Sequence, residues 1–177
     1  MEDPAAIERR ASRIKLLLMD CDGVLTDGRL WLTEDGEEQK SFNTHDGLGL
    51  GLLHRAGLKS GIITGRRSKA VTRRAAELGV EFVRQGEPSK LAAFEQLLKQ
   101  AGVTEDEVAF IGDDLPDIPI MKRSELAVAV ADGAEETRAA AHYVTRAPGG
   151  RGAVREVVEL ILKSQGRWRD LLDEYLK

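Results

Sequence analysis

Little in this chain points to a membrane, to nucleic acid or to a disulfide framework. There is one cysteine, Cys21, so no disulfide can close within the chain, which fits a reducing compartment. No apolar run approaches the roughly 18 residues that a transmembrane helix needs. Basic residues are not in excess. The 26 lysines and arginines against 30 aspartates and glutamates give a net charge of −4, too little positive field to draw nucleic acid or an anionic membrane. The opening Met1-Glu2-Asp3-Pro4 is acidic and lacks a signal-peptide pattern. No repeat or low-complexity segment is present. What remains is a cytoplasmic enzyme or binding domain. Its 177 residues, 42% of them hydrophobic, are most simply one domain over 1–177.

The most informative stretch is Leu16-Leu17-Leu18-Met19-Asp20-Cys21-Asp22-Gly23. An unbroken apolar run of this length reads as a parallel strand buried on both faces. It stops at two carboxylates and a glycine. The period of two predicts that Asp20 and Asp22 point one way and Cys21 the other. Open α/β sheets hold their ligands at such carboxyl ends. Two close acids beside a core repel each other, so a cation or a division of roles would relieve them; an acidic turn is the plainer alternative.

Further along, Arg29–Thr33 and Glu38–Phe42 flank Glu34-Asp35-Gly36, a hairpin signal. This hairpin, about 29–42, is either a flap beside the acidic strand end or a plain edge. Asn43-Thr44-His45-Asp46-Gly47 opens a helix, where an anion site and ordinary capping are both open readings. Leu58–Thr64 is a second strand ending in Thr64-Gly65-Arg66, a hydroxyl, a flexible residue and a cation that together suit phosphate. A helix runs from its cap at Ser68 to Leu78 and carries Arg74. Val80–Arg84, Val108–Ile111, Leu126–Val130 and Tyr143–Thr145 read as four more strands. Lys90 falls in a first helical turn, against the macrodipole. Gly112-Asp113-Asp114-Leu115-Pro116-Asp117 is a second acidic strand end, ahead of a helix expected over Leu115–Arg123. The tail, about 164–177, reads as an amphipathic helix with Trp168, Leu171, Leu172 and Tyr175. Alternating strands and helices predict an α/β, doubly wound, Rossmann-like parallel sheet.

Asp20 with Asp22, Thr64, Lys90 and Asp113 then ask for one explanation. Clustered carboxylates suit Mg²⁺, and a hydroxyl with an ammonium suits the other oxygens of a phosphoryl group. One carboxylate is left to attack phosphorus and one to carry protons. In this order the residues resemble the four motifs of the haloacid dehalogenase-like (HAD) phosphotransferase superfamily. A closer resemblance is to the 3-deoxy-D-manno-octulosonate 8-phosphate phosphatase family. It rests on Asp22–Gly28, Phe42-Asn43 with Asp46–Gly49, Ile62–Ser68, Gln85-Gly86, Gly112–Leu115, and Tyr143–Thr145 through Gly149–Glu156.

This resemblance implies a sheet of the HAD type with a hairpin flap and no large cap domain. It implies Asp20 as nucleophile and metal ligand, and Asp22 as general acid/base with its main-chain oxygen on Mg²⁺. Asp113 would complete the metal site, and Thr64 and Lys90 would hold the phosphoryl group. Asn43, Thr44, His45, Asp46, Gly47, Arg66 and Arg74 would contact the sugar acid. It also implies a homotetramer in which the hairpin of one subunit closes the site of another, with the Gly149–Gly152 segment and the tail reaching likewise. Two positions depart from the family pattern: His45 stands where arginine is expected, and Cys21 where valine or isoleucine is usual. A phosphatase for a nonulosonate 9-phosphate is an alternative, as is a non-catalytic oligomeric module that binds Mg²⁺ and an anion.

Overall fold

The computed structural model describes residues 2–177. In chain order the elements are α1 (Pro4–Ser12), β1 (Leu16–Met19), β2 (Trp31–Leu32), β3 (Glu38–Gln39), α2 (Thr44–Arg55), β4 (Lys59–Thr64), α3 (Lys69–Leu78) and β5 (Phe82–Gln85). They continue with α4 (Lys90–Ala101), β6 (Val108–Gly112), α5 (Ile118–Met121), β7 (Leu126–Ala129), α6 (Glu135–Ala140), β8 (Tyr143–Val144), α7 (Ala153–Ser164) and α8 (Trp168–Asp173). Six strands form one sheet in the order β5-β4-β1-β6-β7-β8, and every neighbouring pair is parallel. This is a doubly wound α/β fold whose order reverses between β1 and β6, the crevice where such sheets bind ligands.

Both faces of the sheet's centre are covered, which is why β1, β6 and β7 are apolar throughout rather than alternating. Leu17 and Met19 face a core closed by α1, α2, α3 and α7, through Ile7, Leu50, Leu53, Val71, Val157 and Ile161. Leu16 and Leu18 face the opposite core, closed by α4 and α5 through Phe94, Leu97, Ile120 and Met121.

The hairpin forms, but each strand is only two residues long, with Trp31 opposite Gln39 and Leu32 opposite Glu38. Gly36 makes its turn at φ +77°. The helix expected over Leu115–Arg123 is instead a 3-10 turn, Leu115–Asp117, followed by the short α5. Pro116 and Pro119 remove two amide donors there, so a continuous helix cannot form. Ser68 sits at the cap position of α3 without capping it, its own N–H donating to the Gln85 side chain. The tail helix α8 packs on α7 of its own chain, with Trp168 beneath the cations of Arg155 and Lys163. In the Gly149–Gly150 turn the Gly150 N–H donates to the Val24 carbonyl at 2.8 Å. Among the described residues no helix is long and apolar enough to cross a membrane.

Candidate active site

Four chain segments deliver the polar groups of one pocket of about 680 Å³, lined by Asp20, Asp22, Thr64, Gly65, Arg66, Lys90, Asp113 and Asp114 among others. Asp20 follows β1 directly, its N–H held by the Ile111 carbonyl at 3.0 Å. Asp22 reaches the same pocket by a route other than strand alternation. The strand has already ended at Met19, and the amides of Val24, Leu25 and Thr26 all turn back onto the Cys21 carbonyl. A tight turn, not a pleat, aims Asp22. Gly23 has φ +91°, and a methyl group on it would strike the Asp113 carboxylate, so only glycine fits. Cys21 is fully buried on the other side, and burial raises its thiol pKa.

Thr64 ends β4 and is 3% exposed, its hydroxyl accepting from the Arg66 N–H. Lys90 is the first residue of α4, after the Ser89 cap. Its ammonium lies 3.0 Å from Asp20 Oδ1 and donates to Asp117 Oδ1 at 2.7 Å. These two carboxylates account for a cation placed against the helix dipole. Burial alone would depress the lysine, but Asp20 and Asp117 hold its pKa above the ordinary value.

Oxygens of Asp20, Asp113 and Asp117 lie within 4.8 Å of one another. Their bonding separates their roles. Asp117 is spent: Oδ1 takes Lys90 and Oδ2 takes the N–H groups of Asp113 and Asp114. Asp113 Oδ1, by contrast, is buried and accepts no hydrogen bond, while Asp20 Oδ1 meets the Lys90 ammonium at 3.0 Å. Burial, with Asp117 nearby, pushes the Asp20 pKa up to about 6 against the pull of Lys90. Burial and the charges of Asp20 and Asp117 push Asp113 up to about 8. Two proton-hungry carboxylates this close fit a small hard cation that would neutralise both.

The loop expected to contact a sugar is not gathered here. Asn43 caps α2, accepting from the His45 N–H at 2.8 Å. Asp46 is 1% exposed, and its carboxylate accepts from the Gly152 and Arg155 amides, so it caps α7 instead. Gly47 packs against the Arg74 guanidinium, which pairs with Glu77 at 3.0 Å. Thr44 and His45 are exposed and line no part of the pocket. Of the sugar-contact set, only Arg66 borders it together with Asp22 and Lys90.

Three participants escape the sequence reading. Asp117 receives no role of its own there beyond membership of an acidic cluster. Lys40 and Glu38, at the base of the hairpin, do not register. Yet the Lys40 ammonium pairs with Asp22 Oδ1 and, at 2.6 Å, with Glu38, and its side chain is 1% exposed. Glu38 is also paired with Arg66 at 2.5 Å. The spacing Glu38-x-Lys40, two residues on one strand face, was the available signal.

Comparison with known proteins bears directly on this pocket. Residues 80–156 match the haloacid dehalogenase-like hydrolases. Over 163 residues the chain is 45% identical to the 3-deoxy-D-manno-octulosonate 8-phosphate phosphatase of Escherichia coli strain K12, covering 92% of this chain and 87% of that protein. The chain belongs to the 3-deoxy-D-manno-octulosonate 8-phosphate phosphatase family. A solved member of this family, from Moraxella catarrhalis, is in complex with a magnesium ion, a phosphate ion and KDO, the sugar acid itself. It superposes with TM-score 0.93 at 44% identity, covering 96% of this chain and 97% of that one. A probable phosphatase from Pseudomonas syringae pv. phaseolica superposes with TM-score 0.96 at 46% identity over 98% of both chains. The protein is thus a phosphatase of the HAD type, with a six-stranded parallel sheet, a two-stranded flap and no large cap.

Proposed function

We propose that the protein hydrolyses 3-deoxy-D-manno-octulosonate 8-phosphate to the free sugar acid and phosphate, a step of lipopolysaccharide biosynthesis, with Mg²⁺ as cofactor. One observation carries the reading. The crowded carboxylates of Asp20 and Asp113 share a pocket with the Thr64 hydroxyl and the Lys90 ammonium, in a chain 44% identical to a phosphatase solved with magnesium, phosphate and KDO.

In this reading Asp20 attacks phosphorus, and the bond from phosphorus to the sugar oxygen breaks. Asp22 gives that oxygen its proton, releasing the sugar as an alcohol. Water then attacks the aspartyl phosphate, Asp22 takes a proton from it, and the Asp20 carboxylate is freed. Thr64 and Lys90 hold phosphoryl oxygens, with Lys90 anchored from behind by Asp117. Asp20 and Asp113, with the main-chain oxygen of Asp22, would hold Mg²⁺, which supplies charge neutralisation and orientation at the phosphoryl group. Arg66 faces the sugar acid from the pocket rim. We further infer a homotetramer, supported by the exposed Leu30, Trp31 and Leu32 of the flap, which are 49%, 58% and 67% exposed. Thr44 and His45 are then free to meet a neighbouring subunit's substrate.

A panel of sugar phosphates with Mg²⁺ tests the substrate. The expected outcome is a kcat/KM for this octulosonate ester far above those for hexose phosphates and nonulosonate 9-phosphates. Preference for a nonulosonate ester would move the assignment to that sugar. No hydrolysis of any ester, with Mg²⁺ binding intact, would leave a binding module.

A further inference from the structure

Lys40 has no part in the proposed chemistry so far, yet its ammonium is almost sealed from solvent beside the residue assigned to proton transfer. Burying a charge is a poor way to steady a hairpin. Desolvation costs several kcal/mol, and an apolar side chain often serves as well. It is a good way to fix the direction of a carboxylate. Lys40 engages Oδ1 of Asp22, while Oδ2 is buried and accepts no hydrogen bond. The ammonium is itself held from the other side by Glu38, which Arg66 also grips. Arg66 Nε stands 3.9 Å from Asp22 Oδ2, beyond hydrogen-bond reach. One oxygen of Asp22 is therefore occupied and the other carries no hydrogen bond. The flap, whose strands are too short to fix themselves, is tied to the site through the same three side chains.

We propose that Lys40 is a positioning residue that sets Asp22 for proton transfer, holding Oδ1 so that Oδ2 alone delivers and receives the proton; this rests on the acid/base reading of Asp22. Lys40 does not line the pocket. It acts through Asp22, and the flap reaches the chemistry by this route within its own chain.

The test compares Lys40→Met, Lys40→Gln and Asp22→Asn on the octulosonate ester and on p-nitrophenyl phosphate, whose leaving group needs no proton. Lys40→Met is expected to lower kcat on the sugar ester about 100-fold with KM little changed, the size of effect a misplaced catalytic group produces. On p-nitrophenyl phosphate it is expected to give a burst of nitrophenolate followed by slow turnover, because only the water step then needs Asp22. Lys40→Gln, whose amide can still donate to Asp22, is expected to recover part of the loss. Should Lys40→Met fold poorly with Glu38 left unpaired, Glu38→Gln/Lys40→Met removes that charge and carries the same expectation. Unchanged kcat, or equal slowing of burst and steady state with no recovery in Lys40→Gln, overturns the proposal. If Asp22→Asn itself shows no difference between the two esters, the acid/base reading falls, and the role of Lys40 with it.

Discussion

Oxygens of Asp20 and Asp113 lie within 4.8 Å of each other, and the consequence is measurable. Both carboxyls rise from an ordinary value of 3.8, to about 6 and about 8. A raised acid pKa means that the folded protein holds protons the unfolded chain has released. Stability from this pair is therefore full below about pH 4 and is lost as pH rises through 6 and then 8. Thermal melts in chelator and in excess Mg²⁺ across pH 5–9 are expected to diverge as pH rises, the cation replacing the lost protons. Parallel curves would argue against a metal at these carboxylates. Asp117→Asn, which loosens Lys90 without touching substrate, is expected to cost about 10–100-fold in Mg²⁺ affinity or activity, as for other residues that orient a metal site from behind. Magnesium titration and kcat check it. Asp20, Thr64, Lys90 and Asp113 were legible in the sequence because acids and a hydroxyl at strand ends, and a lysine in a first helical turn, are hard to explain otherwise. Lys40 was not, because a lysine on a short exposed-looking hairpin is ordinary until its neighbours are known.

At the scale of elements, the strands could be read because parallel strands are apolar on both faces, and their observed limits fall within two residues of the expected ones. The route of Asp22 into the pocket and the duty of Asp46 could not, since a turn folding onto the Cys21 carbonyl and a cap shared between α2 and α7 are long-range facts. The loop before α7 is the least expected support. Gly149 packs against the Gly23 backbone, and Gly23 packs against Asp113. A methyl group at 149 would push the Asp22 turn into the acidic pair. Gly149→Ala is expected to cost about 1–3 kcal/mol by overpacking and to lower activity with it. Denaturant midpoints and kcat/KM check both. Gly102→Ala, a helix-end glycine at φ +68° with open space around it, is the control, expected to lose some stability but no activity per folded molecule.

For the whole molecule, the flap leaves Leu30, Trp31 and Leu32 uncovered. A tetramer covering them is expected in solution, and Trp31→Glu is expected to shift it towards smaller species; light scattering reads both. A wild-type monomer would remove the shared-site reading while leaving the pocket intact, because every group assigned to the chemistry comes from one chain. The account stands or falls on Asp20 carrying the phosphoryl group. Asp22→Asn enzyme should be quenched during reaction with p-nitrophenyl phosphate and Mg²⁺, reduced with borohydride and digested for peptide mass mapping. The expected result is homoserine at position 20, the product of a reduced aspartyl phosphate. Reduction at Asp113 or at no carboxylate at all would contradict it.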